Sequence, residues 1–146
     1  MILVFDVGNT ETTIGLFNRE ALRGQWRVMT DVARTPDEIK LLLRGLLGAD
    51  GIDPRGITGV AIGSVVPAMT GTLSEAAQGL TAQRPLIVDA RSALPITLAV
   101  DEPLTVGADR LINTLAASRL FKRDTIVVDL GTATTFDCIT ADGVFL

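Results

Sequence analysis

Residues 6–13 read Asp6-Val7-Gly8-Asn9-Thr10-Glu11-Thr12-Thr13, and residues 129–136 read Asp129-Leu130-Gly131-Thr132-Ala133-Thr134-Thr135-Phe136. Each stretch follows an apolar strand, and Asp129 stands 123 residues after Asp6, so that Asp, Gly and one Thr superpose. An apolar run that meets an acid, then glycine and hydroxyl residues, spells a buried strand turning sharply into a second one. Self-similarity at a fixed offset implies two copies of one supersecondary plan. On this reading residues 1–123 form a first unit, and residues 124–146 supply the first hairpin of a second, truncated unit. Chance likeness of two Asp-apolar-Gly turns is the competing reading, and the matching flanking strands count against it.

Outward from the first copy, Met1 to Val7 is a nearly continuous apolar strand, followed by strand patterns at Thr12 to Phe17 and Leu22 to Met29. Turn residues separate them, which predicts a three-stranded antiparallel meander. Thr35-Pro36-Asp37-Glu38 is a capping-box start with proline at the first helical position. Ile39, Leu42, Leu43, Leu46 and Leu47 then share one helical face, and Gly48 is expected to end the helix. Ile57 to Val66 predicts a buried parallel strand, Pro67 opens a helix carrying Leu73, Ala76, Ala77 and Leu80, and Pro85 to Val88 is another apolar strand. A short strand at Ile96 to Val100 precedes a helix over Gly107 to Phe121, with Leu111, Ile112, Leu115 and Ala116 facing a core. The order βββαβαβα implies an α/β fold, a mixed sheet covered by helices.

Composition removes several chemistries. The 146 residues hold 13 Lys+Arg against 17 Asp+Glu, one Cys and no His, a net charge of −4. Without histidine there is no Ser-His-Asp triad, no Cys-His pair and no His-ligated zinc, and a single cysteine cannot form an intrachain disulfide. Acidity without a Lys/Arg cluster argues against nucleic acid or an anionic membrane as the main partner. Hydrophobic residues make up 47% of the chain, enough to build a core. The apolar N-terminus meets Asp6 too early for a signal peptide, and the longest apolar stretch, Gly59 to Met69, is too short to span a bilayer, so a cytoplasmic protein is expected.

What remains is carboxylate, hydroxyl and backbone chemistry. At the end of a buried strand, Gly8 permits a turn of positive φ in which backbone N–H groups and the Thr10 hydroxyl converge on an anion, while Asp6 can hold a divalent cation. An ordinary hairpin explains the same residues taken singly. The copy at Asp129 favours two such turns facing each other across a cleft, bracketing a nucleotide polyphosphate and its Mg²⁺. Neither copy is a P-loop or a Rossmann fingerprint. Gly107-Ala108-Asp109-Arg110 opens a helix: Arg is a bidentate anion clamp, and the neighbouring Asp can take a proton from a hydroxyl, which suits an alcohol bearing a carboxylate. A helix-favouring carboxylate beside a surface arginine is the plainer alternative. Ser64-Val65-Val66-Pro67 reads as a strand-to-helix turn rather than a lining of the cleft. Cys138 reads as a small buried hydrophobe, and Trp26 as a core or interface aromatic.

The segments DVGNTETTIG, GSVVP, EPLTVGADRLINTLAA and DLGTATTFD, in this order and spacing, resemble the type III pantothenate kinases, a family related to the Bvg accessory factor proteins. The similarity extends over essentially the whole chain. It implies the ribonuclease H-like fold of the actin, Hsp70 and sugar kinase group, two such units around a cleft, and transfer of the ATP γ-phosphoryl group to pantothenate, the first step of coenzyme A synthesis. It implies that Asp6, Val7, Gly8, Asn9, Thr10, Glu11, Thr12 and Thr13 form the first ATP-phosphate loop. Gly107, Ala108, Asp109 and Arg110 would form the pantothenate segment, with Asp109 as proton acceptor and Arg110 on the substrate carboxylate. Val100 stands at a substrate-contacting position where family members often carry Tyr. Asp129 matches a ligand of a monovalent cation, K⁺ or NH₄⁺, and Thr132 an ATP contact. Family members are usually homodimers. A regulatory protein of the Bvg accessory type on the same fold, and an actin-like kinase of a sugar or acetate, are the other readings. With an open sheet edge, the 146-residue chain is expected to be inactive by itself and prone to pairing or swapping.

Overall fold

The computed structural model describes residues 1–131 and 133–146. It divides into two compact units, Met1–Ile87 and Val88–Leu146. This division follows packing, whereas the boundary expected between residues 123 and 124 follows a sequence repeat.

In the first unit, β1 (Ile2–Val7), β2 (Glu11–Asn18) and β3 (Ala21–Met29) form the expected meander, with β2 antiparallel to both neighbours. β4 (Gly59–Ser64) lies parallel to β1 on its other side, and β5 (Leu86–Val88) completes a sheet ordered β3-β2-β1-β4-β5. Alternation along β1 sends Leu3, Phe5 and Val7 to the buried face and leaves Asp6 exposed at the strand's end. The helices α1 (Pro36–Ala49) and α2 (Pro67–Thr81) cover that face, α1 through Ile39, Leu43 and Leu47, and α2 through Met69, Leu73, Ala76 and Ala77. The Thr35–Glu38 capping box is present as read. The helix stop differs from expectation. α1 runs through Gly48 to Ala49, and the left-handed residue is Gly51, at φ 69°. Trp26 is half-buried at the core edge, stacked where a Cβ on Gly24 would lie 2.6 Å from its ring, and its indole N–H donates to Asp50 at 2.9 Å.

In the second unit, β6 (Thr97–Leu98), β7 (Thr125–Leu130), β8 (Thr134–Ile139) and β9 (Val144–Phe145) form a mixed sheet ordered β6-β9-β8-β7, accompanied by α3 (Ala108–Phe121). β9 has no counterpart in the sequence reading, and it is the parallel partner of β6. The buried stripe of α3 is Ala108, Leu111, Thr114 and Ala117, rotated from the expected one, and Ala116 is exposed. Thr114 tolerates burial because its hydroxyl donates to Arg110 O at 2.8 Å within the helix. Cys138 is exposed, against expectation. The period of two in β8 buries Asp137 and Ile139 and turns Cys138 outward beside Ile126. No helix among the described residues is long and apolar enough to cross a membrane.

Candidate active site

Each unit contributes its own set of candidate residues. In the first, the β1–β2 turn is held shut by hydrogen bonds. Gly8 N donates to Glu11 O at 3.0 Å, and a Cβ on Gly8 would meet that same oxygen at 3.0 Å. Glycine is therefore required here by close approach. The positive φ expected of it is absent: among the described glycines only Gly51 and Gly143 have it. Thr30, just past β3, clamps the turn from outside it. Its N–H donates to Thr10 O at 2.9 Å, its hydroxyl donates to Gly8 O at 2.7 Å, and the hydroxyls of Thr30 and Thr12 lie 2.9 Å apart.

These contacts sort the loop residues. Val7 is buried in the core and Thr12 is buried against Thr30, so both can meet a ligand only through backbone. Asp6, Asn9, Thr10 and Glu11 are exposed, and Gly8 and Thr13 are half-buried. Asn9 N donates to no backbone carbonyl among the described residues. Ser64 belongs to a self-contained turn: its hydroxyl donates to Val66 O and accepts from Val66 N, both at 3.1 Å.

In the second unit, the β7–β8 hairpin has the same plan with a shorter turn. Asp6 faces Thr13 and Asp129 faces Thr135, so the pairing makes Thr13, rather than Thr12, the counterpart of Thr135. Asp129 is exposed near the strand tip, its Oδ1 3.6 Å from where a Cβ on Gly131 would stand. Thr132 lies outside the described residues. Among the described residues, no three His, Cys, Asp or Glu side chains gather into a metal-binding group. Asp6 and Asp129 could each offer a carboxylate to a cation that completes its shell with water and phosphate oxygens.

The start of α3 carries the rest. Gly107 is the N-cap, Ala108 is buried, and Asp109 and Arg110 are half-buried on the first turn. Asp109 Oδ1 accepts from Arg110 N at 2.8 Å, satisfying one of the turn's unpaired donors and fixing the carboxylate. Arg110 Nε donates to Asp137 Oδ1 at 2.6 Å, and the guanidinium lies over the Phe145 ring, 4.7 Å from its centroid. Val100 packs against the Ala117, Ile139 and Phe145 cluster. Thr30 and Asp137 escaped the sequence reading. Asp137 had one available signal, an acid at the inward parity of a strand whose next inward residue is Ile139.

An immobilised carboxylate next to an anchored guanidinium can take a proton from an alcohol while holding an anion, the equipment of a phosphotransferase acting on a hydroxy acid. Solved structures place the fold in the sugar-kinase class. A candidate N-acetylglucosamine kinase of Porphyromonas gingivalis matches with a TM-score of 0.53 at 19% identity over 97% of this chain and 45% of its own. A candidate N-acetylmannosamine kinase of Listeria monocytogenes matches at 0.50 and 18% over 99% and 48%. The chain belongs to the type III pantothenate kinase family, whose profile matches residues 2–146. Relatives carrying that name include those of Roseiflexus sp. strain RS-1, 44% identical over all 146 residues, and Thermomicrobium roseum, 42% identical over the same span. The chain covers 57% and 56% of those two proteins, about half the length of the relatives it matches.

Proposed function

We propose that the protein phosphorylates pantothenate to 4′-phosphopantothenate with ATP, opening coenzyme A biosynthesis. The observation that carries this reading is the adjacent pair on α3. Asp109 uses one oxygen on the helix and keeps the other for an alcohol, and Arg110 is anchored through Nε alone. Pantothenate bears the matching hydroxyl and carboxylate. Membership of the pantothenate kinase family supports the same substrate.

Phosphoryl transfer through a loose transition state needs positioning and charge neutralisation more than covalent catalysis. Asp109 accepts the hydroxyl proton as that oxygen bonds to the γ-phosphorus and the bond to the ADP oxygen breaks. Arg110 fixes the carboxylate and so sets the hydroxyl's approach, with Gly107, Ala108 and Val100 flanking the substrate. The residues of the β1–β2 turn, Asp6 to Thr13, and Thr132 would hold the ATP phosphates. Asp6 would ligate Mg²⁺ and Asp129 the monovalent cation, K⁺ or NH₄⁺; when bound, these ions offset the phosphate charge. In this reading residues 124–146 begin a second ribonuclease H-like unit, the protein works as a cytoplasmic homodimer, and its partner is a small molecule rather than nucleic acid or membrane.

The test is pantothenate-dependent ADP release by the protein made from its complete reading frame. Asp109→Asn should lower kcat by about 10² to 10⁴-fold while leaving ATP binding intact. Failure to release ADP with pantothenate would sink the reading in favour of a regulatory protein, and release driven by a sugar or acetate instead would shift the substrate class.

A further inference from the structure

We infer that Asp137 is a positioning residue that aims Arg110 at the substrate carboxylate and thereby sets specificity for an acid; this rests on the reading of Arg110 given above. Asp137 is 1% exposed, and its second oxygen, Oδ2, has no hydrogen-bond partner among the described residues. A buried carboxylate with half its acceptor capacity unused is a poor device for stability, because its desolvation is only partly offset by one ion pair. Its geometry suits another task.

The contact is single-point, Asp137 Oδ1 to Arg110 Nε at 2.6 Å, and does not use the two-pronged geometry open to a carboxylate and a guanidinium. The ring of Phe145 takes one face of the guanidinium, and the first turn of α3 fixes its root. Rotation of the planar group is thus blocked by an edge contact and a face contact. Neither terminal amino group of Arg110 has a protein partner among the described residues. Those two groups form the fork that matches a carboxylate in a bidentate fashion. Lysine offers no Nε edge by which Asp137 could hold it, so the pair requires arginine.

The experiment compares pantothenate with pantothenol, in which a hydroxymethyl group replaces the carboxylate, using the protein from its complete reading frame. Asp137→Asn should raise the KM for pantothenate about 10- to 100-fold, the worth of a charge-assisted hydrogen bond, with kcat, the KM for ATP and the KM for pantothenol little changed. Arg110→Lys should also raise the KM for pantothenate, and adding Asp137→Asn to it should raise that KM no further. A rise in all KM values together, or a fully additive double variant, would overturn the positioning role. If Arg110→Lys leaves the pantothenate KM unchanged, the reading of Arg110 itself fails; if it raises that KM while Asp137→Asn does not, only the role of Asp137 fails. Should Asp137→Asn not fold, the unaltered protein decides by NMR. The Nε proton of Arg110 should exchange with water at least about tenfold more slowly than that of exposed Arg44, and equal rates would overturn the inference.

Discussion

Thr30 clamps the first turn from outside it, holding Gly8 and Thr10 by their carbonyls and Thr12 by its hydroxyl. Thr30→Val keeps the volume and the N–H bond to Thr10 but strands the Gly8 carbonyl and the Thr12 hydroxyl. We expect a loss of about 1–3 kcal/mol in denaturant unfolding, with a raised KM for ATP. Unchanged stability and unchanged ATP dependence together would show that the turn holds itself. The loop's acid, glycine and hydroxyl residues were legible because they are contiguous. Thr30 and Asp137 were not, because their partners lie 22 and 27 residues away and are brought near only by the sheets. Cys138 was misplaced by one step of parity, and that same step hid the buried acid beside it.

Among the elements, α1 was the most legible because its local signals agree. Thr35 N donates to Glu38 Oε2 at 2.8 Å and Glu38 N donates to Thr35 Oγ1 at 3.3 Å, while Ile39, Leu43 and Leu47 form the buried stripe. The bond from the Thr35 backbone, then that from its hydroxyl, holds the Glu38 carboxyl below its ordinary value of 4.5. A depressed carboxylate stabilises the fold above its unfolded pKa, and that contribution fades as pH falls through the folded value. Glu38→Gln should therefore melt below the native protein at neutral pH, and the gap should close as pH falls through the folded value. A gap of constant size across that range would assign the effect to packing instead of charge. α3 was less legible because Thr114 sits in its buried stripe with its hydroxyl satisfied inside the helix, so the apolar pattern alone pointed to a face rotated toward Ile112 and Ala116.

At the scale of the whole chain, the repeat was readable as sequence, whereas the two compact units differ in how much apolar surface they bury. The first unit has fifteen buried hydrophobic residues in one cluster, from Leu3 to Ala77. Among the described residues the second has a cluster of three, Ala117, Ile139 and Phe145, while Ile126, Val128, Leu130 and Phe136 on its hairpin stand exposed. Opening free energy tracks local apolar burial, so the two units should not protect their amides equally. In hydrogen exchange followed by mass spectrometry on this 146-residue chain, amides of β1 and β4 should exchange only through global opening of the first unit. Those of β7 and β8 should exchange orders of magnitude faster. Adding denaturant well below the main transition should narrow the difference if the second unit opens separately, because opening of the first unit exposes more surface and so has the steeper denaturant dependence. Uniform protection across β1, β4, β7 and β8 would mean that the two units unfold as one cooperative body, and that the small cluster around Phe145 is stabilised by more than its own buried surface.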